Sequence, residues 1–489
     1  MKNMIKRNVL STALCLIALI FALPTAMFAQ AGMSIEAEEH ILNELRRAGI
    51  PNAAVAVIQD EETSFILKNS ELDTVFEIAS VTKPFTAFGV LLLEDMGLLS
   101  VYDPVNQHLP WFKVHYNGMP VPHEDISIYN LIHHTSGLSQ NENRFPRAAL
   151  TETTDEFIAR LIGMELDFYP STNVVYSNMG YIILGLLIEA VSGQPYEDFM
   201  IQQVLHPIGL YNTFTNTQRA RTSGQAVNGY VRGFLQVRQG AYGIYTHSTN
   251  IPTGGIYSSV ADLARWAGIQ LGIVEVSEQF ARVVQRSHTL HYYSDVIVAD
   301  SGSFFSGGWF INEENGSIEH MGDRPTWAAL IRILPENNTA VVVLANLRLW
   351  VDDLGTMPLE AVLNGTFTTL GRDWNQMSDI FFSIVCAVGI IYIGLFVRII
   401  VKLRKRLKSG EVIKANFSAK SIKKLISGSI LSIAFLTLYY IFPYVLMGIT
   451  RASLINNFVT SFGVAAIAMW IMVLYDVFAW WTKMFVSPK

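Results

Sequence analysis

Three apolar runs close this 489-residue chain, at about 380–401, 425–449 and 458–481. Each is long enough to cross a bilayer, which takes roughly 20 residues of helix. Three in succession leave too little polar chain to cover them as core helices, so three transmembrane helices are expected in a membrane region spanning 373–489. Between the first two, from Arg398 to Lys424, ten Lys and Arg stand against one acid, Glu411. Such a loop belongs in the cytoplasm. The first helix then runs inward, the second outward and the third inward again. Charges inside the runs are few, with Arg398 and Asp476 near the ends, which favours anchoring over transport.

The other end agrees with that topology. Lys2, Lys6 and Arg7 precede an apolar run from Val9 to Leu23 and then Ala29-Gln30-Ala31. This is the pattern of a secretory signal peptide over 1–31, cut after Ala31. Residues 32–372 are therefore expected outside the cytoplasm, held at the cell membrane by a multi-pass anchor. Residues 30–378 carry 19 Lys and Arg against 38 Asp and Glu. So acidic a domain excludes nucleic acid as a partner, because phosphate is repelled. The two cysteines, Cys15 and Cys386, fall in the signal and the first membrane run. The exported part thus has neither disulfide nor thiolate chemistry, and must be stable through its own core.

The chemistry-bearing stretch is Glu77-Ile78-Ala79-Ser80-Val81-Thr82-Lys83-Pro84-Phe85-Thr86. Pro84 lacks an N–H and is tolerated only near a helix start, so the helix begins close to Ser80. Ala87 and Val90 to Leu93 give that helix a buried face. A spacing of three puts Ser80 and Lys83 on one side. At the positive, desolvated end of a helix an ammonium is disfavoured, and Lys83 can act as a neutral base toward the serine hydroxyl. Ser-x-x-Lys recurs at Ser421 to Lys424, in the cytosolic loop, so the motif needs support from elsewhere.

That support is spread along the chain. Ser34 to Gly49 reads as an amphipathic helix, and Ala53–Ile58 with Ser64–Leu67 as a hairpin across residues 59–62. Ile126 to Leu138 is a short helix entering a loop. Its adjacent His133 and His134 diverge by about 100° on a helix and have no third ligand at a recognisable spacing; they read as loop residues held by side-chain hydrogen bonds. Thr154 to Gly163 is a helix. Tyr176-Ser177-Asn178 lies in a loop before an apolar helix, Tyr181 to Ser192, so Tyr176 and Asn178 can face one cleft. Ser259 and Asp262 start another helix with a capping-box pattern. Residues 220–250 and 285–305 read as loops over the cleft. Strands follow at 308–311, 318–320, 327–334 and 339–345, then a helix over 354–370. This order implies one α+β domain whose terminal pieces share a sheet.

Taken together, Ser80-Val81-Thr82-Lys83, Tyr176-Ser177-Asn178 and His320-Met321-Gly322, in this order and setting, resemble the class C beta-lactamase-related and penicillin-binding serine hydrolases. The resemblance covers about 34–372. It implies the beta-lactamase/transpeptidase-like fold, an antiparallel sheet flanked by helices with an all-helical part. It also implies that Ser80 attacks a carbonyl to form an acyl-enzyme, that Lys83 and Tyr176 share the proton work, and that Asn178 holds Lys83 and touches the substrate. The N–H groups of Ser80 and Asp323 are expected to form the oxyanion hole, with Gly322 at the substrate. No metal or organic cofactor is implied.

One departure stands out. Many members have Lys-Thr-Gly where this chain has His320-Met321-Gly322. A histidine is only partly charged near neutral pH, and His-x-Gly resembles the esterase and D-aminopeptidase members. Arg324 is the candidate to replace the lost cation beside the substrate. The expected function is hydrolysis of an ester or amide, a cell-wall D-amino-acid peptide among them. The alternatives are a beta-lactamase, or a penicillin-binding sensor that acylates without efficient turnover. The natural substrate and the oligomeric state are not legible in the sequence.

Overall fold

The computed structural model describes residues 33–140, 148–149, 151–233, 236–240, 247–289, 303–312, 314–348, 351–366 and 368, with scattered positions between 391 and 409. The signal peptide and the second and third apolar runs lie outside these residues. Of the first run only a few positions from Ile391 onward are described, and they are helical. Among the described residues no helix is long and apolar enough to cross a membrane.

Six helices and nine strands place the site. The helices are α1 (Ile35–Arg47), α2 (Thr82–Asp95), α3 (Asn178–Ser192), α4 (Val260–Leu271), α5 (Glu278–His288) and α6 (Val351–Leu363). The strands are β1 (Ala53–Gln59), β2 (Glu62–Lys68), β3 (Val75–Glu77), β4 (Tyr257–Ser259), β5 (Ser303–Ser306), β6 (Trp309–Asn312), β7 (Ile318–Arg324), β8 (Trp327–Leu334) and β9 (Thr339–Ala345). Seven form one antiparallel sheet in the order β5-β6-β7-β8-β9-β1-β2, while β3 and β4 pair separately. The N- and C-terminal pieces do share the sheet: Ala53 of β1 faces Ala345 of β9, and Gln59 faces Thr339.

Both faces of the sheet are covered. Val341, Val343 and Ala345 pack with Ile41, Leu45 and Leu359 on the side of α1 and α6. Ala340, Val342 and Leu344 join Phe85, Phe88, Leu184 and Trp266 on the other. A strand buried on both faces reads as an unbroken apolar run, as β9 does. Helix α2, which carries Lys83, is buried from Thr82 to Leu93, with Phe85 stacked 4.6 Å from Trp266.

Several boundaries differ from expectation. Asn178 opens α3 rather than preceding it, because Ser177 Oγ caps the helix through the Gly180 N–H at 3.4 Å. The strand expected over 318–320 runs on to Arg324 and carries the whole His-Met-Gly motif. Residues 220–250 and 285–305 are not plain loops. They contain the end of a helix (Thr217–Thr222), a hairpin of Tyr230–Gly233 with Gln236–Gln239, the last turn of α5, and β5. The turn between β5 and β6 is Gly307-Gly308, both with positive φ (54° and 85°). A Cβ at Gly308 would come within 2.8 Å of the Lys83 carbonyl oxygen, so this hairpin sits directly on the start of α2.

Candidate active site

After β3 the chain passes Ile78 and Ala79, makes one 3-10 turn over Ala79–Val81, and enters α2 at Thr82. Ala79 has φ +47°, a left-handed conformation that costs a non-glycine residue about 1–3 kcal/mol. The turn leaves Ser80 partly exposed and Lys83 fully buried. The Lys83 Nζ lies 3.3 Å from Ser80 Oγ, 2.8 Å from Asn178 Oδ1 and 2.7 Å from the Thr253 carbonyl oxygen. The Tyr176 ring centroid is 4.7 Å from the same nitrogen.

Two of those three oxygens, the amide and the carbonyl, can only accept, so each takes an N–H from Lys83. Toward Ser80 the nitrogen can then present either a third N–H or, as a neutral amine, its lone pair. That is the geometry of an amine that exchanges a proton with a serine hydroxyl.

Thr253 was not visible in the sequence as a site residue, because its contribution is a backbone carbonyl. It lies in a helical turn, Ile251–Gly254, wedged between α2 and α3. A Cβ at Gly185 of α3 would collide with the Pro252 ring. Thr86 Oγ1 donates to the Pro252 carbonyl at 2.7 Å, and the Ile256 N–H to Thr82 Oγ1 at 3.1 Å. The Thr253 hydroxyl also donates to Asn178 Oδ1 at 2.8 Å.

On the sheet side, β7 pairs with β6 only through Ile318 and Glu319. His320 is 1% exposed, and its Nδ1 bonds to the Met321 carbonyl oxygen at 2.8 Å. A carbonyl only accepts, so Nδ1 carries the proton and Nε2 is left as an acceptor. Its ring centroid is 6.4 Å from that of Tyr176. Burial, with Lys83 nearby, pushes the imidazole down to about 3. The expectation of a partly charged histidine is therefore corrected: at neutral pH His320 is uncharged.

Gly322 packs against the backbone before the serine, and a Cβ there would collide with the Ile78 carbonyl oxygen. This contact brings Asp323, the next residue, alongside the Ser80 turn. The Asp323 carboxylate pairs with Arg348 at 2.7 Å on the surface. Arg324 points the other way. Its guanidinium lies 3.3 Å from Glu77 Oε1 and 3.4 Å from the Gly254 carbonyl oxygen, with side-chain exposures of 8% and 5% for the ion pair. The reading of Arg324 as a cation offered to substrate gives way to a buried structural pair.

The structure thus gathers Ser80, Lys83, Tyr176, Asn178 and His320 around one nitrogen and one aromatic ring, with Gly322 and Asp323 beside the serine. A family model described as Beta-lactamase matches residues 36–363. The chain belongs to the Beta-lactamase family. Protein flp of Staphylococcus aureus (strain COL) is 25% identical over 426 residues, covering 83% of this chain and 82% of that protein. Penicillin-binding protein 4* of Bacillus subtilis (strain 168) is 31% identical over 169 residues, covering 33% and 35%. Among solved structures, an octameric penicillin-binding protein homologue from Pyrococcus abyssi superposes with a TM-score of 0.57 at 24% identity, covering 68% of this chain and 77% of that one. A class C beta-lactamase does so at 0.57 and 17%, covering 69% and 98%. These likenesses show the family's α+β fold in this chain.

Proposed function

We propose that this chain is an extracytoplasmic serine hydrolase of the Beta-lactamase family, anchored to the cell membrane, that forms an acyl-enzyme on Ser80 and hydrolyses an ester or amide. The observation that carries this reading is the triple coordination of Lys83 Nζ by Ser80 Oγ, Asn178 Oδ1 and the Thr253 carbonyl, beneath the Tyr176 ring.

In this reading Ser80 gives its proton to the Lys83–Tyr176 pair as its oxygen bonds to the carbonyl carbon. The negative charge that develops on the carbonyl oxygen is met by the N–H groups of Ser80 and Asp323. When the tetrahedral intermediate collapses, the bond to the leaving group breaks and that group takes the proton. Water then attacks the acyl carbon, passing a proton through the same pair and returning the hydrogen to Ser80 Oγ. Gly322 lets the substrate lie against the strand. His320 contributes an uncharged acceptor, Nε2, suited to a substrate N–H or O–H. Neither His320 nor Arg324 supplies a cation for a substrate carboxylate, so neutral esters and amides fit better than penicillins. The natural amide we favour is a D-amino-acid peptide of the cell wall, cut at a bond remote from its terminal carboxylate.

The likeness to a penicillin-binding protein supports a second reading, acylation that stalls. One experiment separates the two. The detergent-solubilised protein and Ser80→Ala are incubated with p-nitrophenyl acetate, with nitrocefin and with a fluorescent penicillin. Ester turnover that vanishes in Ser80→Ala, without lasting penicillin label, supports the hydrolase. Stable label on Ser80 supports the sensor, and rapid nitrocefin turnover a beta-lactamase. Full ester turnover in Ser80→Ala removes the mechanism altogether.

A further inference from the structure

His134 takes no part in the acyl transfer described above, yet it grips both neighbours of Tyr176. Its carbonyl oxygen accepts the Val175 N–H at 2.9 Å, and its ring Nδ1 accepts the Ser177 N–H at 3.0 Å. The ring itself lies 4.7 Å from the Tyr176 ring and is met edge-on by Phe305 at 4.5 Å. It is 1% exposed. The backbone at His134 has φ +59°, which turns side chain and carbonyl toward the same segment.

The rest of its loop is tied to the same stretch. The Ser171 N–H donates to the Thr135 carbonyl at 2.8 Å, Asn130 Nδ2 bonds both Thr135 Oγ1 and Ser171 Oγ at 2.9 Å, and Ser177 Oγ donates to the Ser139 carbonyl at 3.3 Å. Among the hydrogen bonds of the described loop residues, those of His134 bracket Tyr176 on both sides. An Nδ1 that accepts carries no proton, so the bond to Ser177 requires an uncharged ring. Burial above all, with Lys83 next, disfavours the charged ring and holds it uncharged.

We infer that His134 is a positioning residue for Tyr176: its carbonyl and its Nδ1 lone pair clamp Val175 and Ser177, and so hold the phenol over Lys83. This rests on the reading of the Ser80 centre as an acyl-transfer site. A phenol that shares a proton with Lys83 must keep its place, since small misplacements of a reacting group cost large factors in rate. The contribution is to geometry rather than to binding, so it is expected in kcat and not in KM.

The side-chain acceptor can be moved without removing polarity. His134→Asn keeps an acceptor at the δ position and suits positive φ. His134→Gln carries its acceptor one bond farther out. Both are made in the full-length, detergent-solubilised protein, with kcat for p-nitrophenyl acetate measured per fluorophosphonate-titrated serine. Hydrogen exchange at the Ser177 amide is followed alongside. For His134→Asn we expect kcat within about threefold of wild type and unchanged exchange. For His134→Gln we expect kcat lower by at least about 20-fold, KM within about twofold, and Ser177 exchange faster by about tenfold or more. Equal Ser177 exchange in all three proteins overturns the clamp, as does an equal loss of kcat in both variants. If wild type neither turns over the ester nor reacts with fluorophosphonate, the hydrolase reading fails, and the exchange rates still decide the clamp.

Discussion

Gly322 rests on the Ile78 carbonyl with no room for a Cβ between them. The two residues belong to different parts of the chain, one to the sheet and one to the turn that presents Ser80. In the proposed mechanism this contact holds the N–H groups of Ser80 and Asp323 in register as the two oxyanion donors. In Gly322→Ala the strand or the turn has to move. Loss of one oxyanion donor typically lowers kcat by about 10²–10³-fold. We expect a loss of that size toward p-nitrophenyl acetate, with a folded protein by circular dichroism. Activity within threefold of wild type contradicts the role given to this contact.

A second link, from β7 to the end of β3 just before that turn, is Glu77–Arg324, buried from solvent. Tyr257 also donates to Glu77, Oη to Oε2 at 3.0 Å. Removing one partner of a buried pair leaves an uncompensated charge and costs about 3–5 kcal/mol. Arg324→Gln is therefore expected to lower the urea midpoint strongly. Among the molecules that remain folded, the ratio of rates for an acetyl ester and a carboxylate-bearing succinyl ester is expected to stay unchanged. A selective loss of the succinyl ester places Arg324 at the substrate after all.

At Thr253 the account separates side chain from backbone. Lys83→Met removes the proton carrier and is expected to lower kcat by about 10²–10⁴-fold. Thr253→Ala keeps the carbonyl that holds Lys83 and loses only the bond to Asn178, worth about 1 kcal/mol. Its kcat is expected within about tenfold of wild type. A Thr253→Ala defect equal to that of Lys83→Met shows that the hydroxyl, not the carbonyl, is what the lysine needs.

Histidine titration has a definite sign here. His320 is held down to about 3 and His288 to about 4, and His134 is lowered as well, in each case mainly by burial. In the unfolded chain these imidazoles take a proton near pH 6.5. Between that pH and the folded values the unfolded state binds more protons, so stability is greatest above pH 6.5 and falls as the solution is acidified. For one such residue the fall from pH 7 to 5 reaches about 2 kcal/mol. The melting temperature is expected to drop from pH 7 to pH 5, and less steeply in His320→Gln. A His320→Gln slope as steep as wild type means that this histidine is not held uncharged.

Local rules made much of this legible. Pro84 placed the helix start, the spacing of three brought Ser80 and Lys83 together, and Ser259 with Asp262 marked the head of α4. Only the resemblance to the family's three motifs, in their order, suggested that Tyr176 and His320 would join them. What stayed hidden depends on partners far along the chain. Arg324 looks like any surface arginine until Glu77 is found beside it. The Thr253 carbonyl has no side-chain signature at all. Strand β5 lies in a Gly/Ser/Tyr/His-rich stretch whose composition reads as loop, and its pairing with β6 makes it a strand.

The central claim is a covalent bond from Ser80 to an acyl group. Rapid quenching of the protein with p-nitrophenyl acetate, followed by mass spectrometry of the peptide containing Ser80, tests it directly. We expect a burst of p-nitrophenol together with one acetyl group on Ser80, absent from Ser80→Ala. Turnover with no acetyl on Ser80, or with the acetyl on another residue, contradicts the account.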